Sequence, residues 1–296
     1  MGIKKSKNKS FFVSPLRYPG GKTCLAPKLE SVFKKNFSYN EKITFVEPYA
    51  GGAGASLVLL YSSKVDKIII NDLDKAIYIF WKIAVQSTDY LIRKIRRTKI
   101  TIQEWKKQKE IYTLLKNKQR LILKDESKLA FATLFLNRTN RSGIMNGGPI
   151  GGMNQLSKWK INERFTKKTI IERLERIKKN HNKIKVYNLD GIKLLKRLER
   201  QKKSNQYFIL IDPPYFQKGQ SLYLNNYKND DHEDLSKFLI KSSLKKWIMT
   251  YNDISYIKNL YKKMYVKKFM IQHNAQYSKT GKEIMIFPKK LIPVDI

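Results

Sequence analysis

Short apolar runs that end in a polar or acidic residue alternate with helix-like segments up to Asp72 and again from Ile184 onwards. Ile43-Thr44-Phe45-Val46-Glu47 is one, and Ile68-Ile69-Ile70 before Asn71-Asp72 is a second. Ile184-Lys185-Val186-Tyr187, Tyr207 to Ile211, and Trp247 to Tyr251 follow later. Their length and β-rich content predict buried strands. Ala55 to Leu60 follows the first run with helical character. Val266 to Gln272 and Glu283 to Phe287 flank a polar segment containing Gly281 and predict an antiparallel hairpin. Between Asp72 and Ile184 the strand–helix alternation stops. Thr101 to Lys118 places Ile102, Trp105, Tyr112 and Leu115 at helical spacing. Lys128 to Leu136 reads as a mostly buried helix, and Thr169 to Lys179 as a third, with Ile170, Leu174 and Ile177 on one face. The pattern predicts an α/β chain with a mostly parallel sheet. Residues 1–84 and 184–296 form one discontinuous domain, and residues 85–183 a helical insert.

Composition adds a partner. Lys and Arg number 61 against 24 Asp and Glu, a net charge of +37. Such an imbalance favours a polyanion and steers it from a distance. The N-terminal Lys4, Lys5, Lys7 and Lys9 extend the same character. Cys24 is the single cysteine, so no disulfide forms within the chain and a reduced, cytoplasmic setting is expected. His181, His232 and His273 lack metal-ligand spacing, and no metal site is expected. No apolar run has the length of a membrane span.

Several stretches carry candidate chemistry. Tyr18-Pro19-Gly20-Gly21-Lys22-Thr23 ends like a phosphate loop, but Leu16 stands where that motif needs glycine. A glycine turn presenting Tyr18 and Lys22 to an anionic or aromatic ligand is the better reading. Glu47-Pro48-Tyr49-Ala50-Gly51-Gly52 joins a strand to a helix, where glycines admit a ligand close to the backbone. Asp72, at the tip of the next strand, is placed to accept hydrogen bonds from ribose hydroxyls. Its bland alternative is a helix cap. Asp190-Gly191 closes another strand and offers a further acid. The insert carries a long loop loaded with Arg, Asn and Gln, side chains that read base edges or neutralise phosphate. Asn137, Arg138, Asn140, Arg141 and Asn146 are its candidate DNA contacts.

The last stretch is Ile211-Asp212-Pro213-Pro214-Tyr215-Phe216. Two prolines end the strand and stiffen the turn. An acid and an aromatic ring are thereby held at the carboxyl end of a strand, the edge where ligands bind in open α/β sheets. The Asp212 carboxylate and the Pro213 carbonyl could accept both protons of an exocyclic amine, and Tyr215 could stack on the ring that bears it. Positive charge developing on the nitrogen would then meet a fixed carboxylate.

Together these motifs resemble the Dam-like (D12, or α-order) family of DNA adenine-N6 methyltransferases. Arg17 to Lys22 is similar to the family's N-terminal donor-binding motif, and Val46 to Gly52 to its glycine motif. Asp72 matches the ribose acid, Asp190 the acid that meets the donor's adenine, and Asp212-Pro213-Pro214-Tyr215 the catalytic tetrad. The resemblance implies a Rossmann-like S-adenosylmethionine-dependent methyltransferase sheet of seven strands, one of them antiparallel, with a helical target-recognition insert. It implies S-adenosylmethionine as cofactor, bound by Tyr18, Lys22, Glu47, Tyr49, Gly51, Asp72, Asp190, Gly191 and Asp212. It also implies a flipped adenine in double-stranded DNA as acceptor, in a bacterial or phage restriction–modification or orphan system, with a separate restriction endonuclease as a potential counterpart. Transfer to cytosine-N4 or to RNA adenine, and a non-catalytic DNA-binding relative, are the alternatives. Asp at the head of the tetrad favours adenine.

Overall fold

The computed structural model describes residues 13–18, 20–214, 229–274 and 278–291, with side chains omitted for 270–274 and 278–281. Seven strands form one sheet: β1 (Thr44–Glu47), β2 (Lys67–Asn71), β3 (Ile184–Tyr187), β4 (Tyr207–Ile211), β5 (Trp247–Asn252), β6 (Tyr265–Asn274) and β7 (Ser278–Phe287). Their spatial order is β3-β2-β1-β4-β5-β7-β6. All neighbours are parallel except β7, which runs against both β5 and β6. The strand order reverses between β1 and β4, so the crevice outside their carboxyl ends is the natural ligand site.

Alternate residues along each strand feed two separate cores. Phe45, Ile68, Ile70, Phe208 and Leu210 point to one face, and Val46, Ile69, Ile209 and Ile211 to the other. On the first face Phe45 and Phe208 stack, with the Phe33 ring edge-on to Phe208 at 4.8 Å between centroids. Phe33 comes from α1 (Ala26–Asn36), and α2 (Gly54–Tyr61) lies beside it. The same core continues through α3 (Lys75–Gln86), α4 (Thr88–Arg97), α5 (Ile102–Lys116), α6 (Leu123–Thr139) and α7 (Lys167–Lys179). The second face is covered by α8 (Gly191–Glu199), α9 (Asn229–Lys241) and α10 (Ser255–Leu260) through Leu194, Leu195, Leu198, Leu235, Leu239 and Ile257. Apolar stripes on these helices fill the two cores, and α6 is buried all round from Leu129 to Thr139.

The helices of residues 85–183 thus share a core with the sheet. Phe80 and Trp81 of α3 and Phe131, Leu134 and Phe135 of α6 are buried in one cluster with the strand residues. α6 also runs further than its apolar pattern predicts. It ends at Thr139, so Asn137 and Arg138 sit in its last turn and not in a loop. No helix among the described residues is long and apolar enough to cross a membrane.

Candidate active site

Three acids stand at the carboxyl edge of the sheet, on either side of the topological reversal. Glu47 ends β1 and is buried, with its carboxylate accepting the Ser56 backbone N–H at 3.1 Å. Burial first, then the nearby Asp212 charge, pushes Glu47 up from 4.5 to about 7, against the pull of Ser56 and Lys22.

Asp72 follows β2. One carboxylate oxygen accepts the Gly51 N–H at 2.9 Å and the other the Asp74 N–H at 2.9 Å. The helix cap is therefore Asp74, which accepts from Ala76 and Ile77 N–H. Asp72 itself braces the glycine loop. Part of its surface stays open, yet protein atoms crowd the carboxyl. That enclosure, with Asp74 adding to it, pushes it up to about 7.

Asp212 follows β4. One of its oxygens lies 3.0 Å from the Lys22 ammonium, and the other accepts the Thr250 hydroxyl at 2.6 Å. The register explains the second contact: Ile211 pairs with Met249, which sets Thr250 of β5 beside Asp212. Lys22 is buried; it donates to the Gly20 carbonyl at 2.9 Å and lies 3.7 Å from Glu283 on β7. Burial alone would lower this ammonium, but Asp212 and Glu283 outweigh it and hold it above its ordinary value. Pro213 is buried and Pro214 half-buried, which fixes the turn; Tyr215 and Phe216 lie outside the described residues.

The glycine loop is held from three sides. Gly51 has φ of +46°, a left-handed conformation that a side chain resists, and a Cβ there would meet the Tyr18 ring at 2.5 Å. Trp81 donates its indole N–H to the Gly51 carbonyl at 2.8 Å. Ala53, the residue before α2, is also left-handed at φ of +46°, a strained conformation of the kind that collects at functional sites. Buried Asn71 ties this loop to the next one: it donates to the Pro48 and Leu189 carbonyls and accepts the Leu189 N–H. Gly191 is needed because the Tyr49 ring packs on it, 2.3 Å from where a Cβ would stand. Asp190 caps α8 by accepting the Lys193 N–H at 3.0 Å.

Tyr18, Lys22, Glu47, Tyr49, Gly51, Asp72, Asp190, Gly191 and Asp212 thus belong to this edge and the loops that leave it. Lys22 is turned towards Asp212 and Glu283, an arrangement the sequence does not show. Thr250, Glu283, Asn71 and Trp81 carry no motif and come to the site through strand register and packing. A polar Thr250 between apolar Met249 and buried Tyr251 was the one visible irregularity.

The insert residues divide differently from the sequence expectation. Asn137, Arg138 and Asn140 are buried, with their polar groups committed inside the fold. Asn137 accepts the Arg17 N–H and donates to the Arg17 carbonyl, both at 2.7 Å. Arg138 donates to the Pro15 carbonyl at 2.7 Å. Its guanidinium is drawn down to about 9 by burial first, then by Arg173 and Arg17. Asn140 accepts the Trp105 indole N–H at 2.7 Å and donates to the Ile144 carbonyl. They strap residues 14–18 across the carboxyl edge instead of facing a duplex. Arg141 and Asn146 are exposed.

Residues 18–278 match the family described as D12 class N6 adenine-specific DNA methyltransferase. The chain belongs to that family. Among curated relatives, the type II methyltransferase M.MjaIII of Methanocaldococcus jannaschii is 24% identical over 272 residues, covering 86% of this chain and 89% of that one. Among solved structures, the rRNA methyltransferase aviRa of Streptomyces viridochromogenes covers 88% of this chain and 82% of its own at 15% identity. The TM-score between the two is 0.34. In this D12 class chain, Asp212 and its two prolines follow β4 at its carboxyl end.

Proposed function

We propose that the protein transfers the methyl group of S-adenosylmethionine to the exocyclic amine of an adenine flipped out of duplex DNA. The observation that supports this most is the fixed Asp212 carboxylate. Lys22 and Thr250 each occupy one site on it, and an ionised carboxylate has about four. Each oxygen keeps room for one more donor. An amine whose protons meet Asp212 and the Pro213 carbonyl is turned towards a tetrahedral, more nucleophilic nitrogen. As that nitrogen gains positive charge, the preorganised carboxylate stabilises it without rearrangement. Tyr215 is assigned the stacking role against the flipped base. A base inside the duplex could not reach this turn.

The residues suit the donor. Glu47 and Asp72 are carboxyl groups raised to about 7 because each lacks a strong cationic neighbour to offset its enclosure. Such groups favour a ligand that brings a cation and hydroxyls. S-adenosylmethionine, when bound, supplies a methyl group on a positively charged sulfur. Asp72 would hold the ribose hydroxyls, and Tyr49, Gly51, Asp190 and Gly191 would line the remainder. The site's task is alignment of amine and methyl group.

The helical insert, residues 85–183, is assigned to target recognition, with Arg141 and Asn146 as candidate DNA contacts. The family and the type II name of the relative support a place in a restriction–modification system, where a separate endonuclease would recognise the same site. The test is incubation with labelled S-adenosylmethionine and mixed-sequence duplex DNA, followed by a nucleoside digest. N6-methyladenine is expected. Label in N4-methylcytosine alone, or transfer to RNA but not to DNA, would overturn the assignment.

A further inference from the structure

We propose that a basic groove between the C-terminal half of α4 and the first turns of α5 holds backbone phosphates of the duplex beside the reactive base. This rests on duplex DNA being the substrate. The groove has a volume of about 950 Å³. Arg93, Lys94, Arg97, Lys99 and Lys107 line it, against a single carboxylate, Glu104. All five cations are exposed, and none lies in an ion pair among the described residues. Elsewhere on the surface, Lys64, Lys82, Lys178 and Lys246 each meet a carboxylate within 3 Å. The groove therefore gathers five cations along one concave surface, with Glu104 in its lining and Asp89 near Arg93 as the carboxylates that offset them.

Its local structure also suits a polyanion. The end of a helix carries partial negative charge, but α4 places Lys94, Arg96 and Arg97 in its last turn. The facing end of α5 is an N-terminus, which favours anions. Glu104 is already engaged there: its N–H bonds the Thr101 hydroxyl, and its carboxylate accepts from Gln108 at 2.6 Å.

The topology puts the groove on the reactive side of the sheet. α7 leads into β3, which runs parallel to β2, so the C-terminus of α7 lies at the amino edge and its N-terminus towards the carboxyl edge. α4 packs antiparallel to α7. Lys178, late in α7, meets Asp89, early in α4, at 2.8 Å; Lys167, at the start of α7, donates to the Arg96 carbonyl at 2.9 Å. The end of α4 thus faces the edge that carries Glu47, Asp72 and Asp212. A second chain of contacts agrees. On α5, Trp105 bonds Asn140, and Lys109 bonds the Met145 carbonyl at 2.9 Å. α5 thus carries the groove on one face and, on the other, the loop bearing Arg141 and Asn146, whose base is bonded to Arg17 beside Tyr18.

The test compares the double variant Arg97→Ala/Lys99→Ala with Lys262→Ala/Lys263→Ala. The second pair is exposed and precedes β6, whose Tyr265 pairs with Phe287 at the opposite edge of the sheet. Both variants lose two charges. Fluorescence anisotropy with labelled duplexes of unrelated sequence is read across a salt series, and thermal melts check the fold. The groove variant should bind all duplexes more weakly, by roughly tenfold or more, and its salt slope should be shallower by about two. The control should keep the wild-type slope. A groove variant that behaves like the control, from a wild-type protein that methylates duplex DNA, overturns the groove alone. Wild-type protein that methylates no duplex DNA overturns the substrate reading, and the groove with it.

Discussion

Glu47→Gln is expected to make the protein more stable at neutral pH. The Glu47 carboxyl is buried at the end of β1 and sits at about 7 in the folded chain, against an ordinary 4.5. At about 1.4 kcal/mol per pH unit, that difference corresponds to about 3 kcal/mol of stability lost once the group ionises. The sign follows from proton counting. Between pH 4.5 and 7 the folded chain holds the proton and the unfolded chain has released it, so stability falls as pH rises through that window and levels off above it. Glutamine keeps an oxygen to accept the Ser56 N–H and cannot ionise. Its buried amide N–H groups take back about 1 kcal/mol. The net gain at pH 8 is then about 2 kcal/mol, shrinking to nothing or reversing near pH 4.5. Guanidinium unfolding at several pH values measures it. Asp72, also at about 7, contributes a slope of the same sign that the variant retains. Calorimetry on the same variant should find weaker S-adenosylmethionine binding, as the role proposed for this acid towards a cationic ligand requires. A variant no more stable at pH 8, with an unchanged slope between pH 4.5 and 7, would refute the reasoning.

Thr250→Val keeps the shape of a fully buried side chain and removes the hydroxyl that donates to Asp212. A hydrogen bond to a charged group contributes about 1.5–3 kcal/mol, so single-turnover methyl transfer should slow by roughly ten- to a hundredfold while DNA affinity holds; unchanged transfer would show that Lys22 alone orients the carboxylate. Arg138→Leu should lower stability by about 2–4 kcal/mol, because the Pro15 carbonyl loses its buried donor. Arg141→Ala should melt like wild type and bind DNA several-fold more weakly. Thermal melts and anisotropy separate the two, and the opposite pattern would mean that Arg138 faces DNA.

Strands β1 to β5 were legible because each is a short apolar run closed by a polar residue, and the acids that close three of them mark the ligand edge. Glu47, Asp72 and Asp212 could be placed for that reason alone. The helical insert was legible in outline only. Asn137, Arg138 and Asn140 read as a polar loop by composition, yet they complete a buried helix turn and clamp the N-terminal segment. Periodicity continued from Leu136 would have put Asn140 on the buried side. Partners that meet across the sheet left no local trace. Thr250 reaches Asp212 through parallel register, and Glu283 reaches Lys22 from the antiparallel strand. Such contacts are set by pairing between segments far apart in sequence. The α4–α5 groove was hidden for another reason: in a chain of net charge +37, a run of lysines and arginines does not stand out until the fold gathers five of them along one groove.

The central claim is that the Asp212 carboxylate grips the amine that receives the methyl group. Its most direct measurement is single-turnover transfer by Asp212→Ala, read as N6-methyladenine in a digest of the duplex, with DNA binding measured on the same preparation. Transfer should disappear while binding persists. An Asp212→Ala protein that makes N6-methyladenine at the wild-type rate would contradict the account.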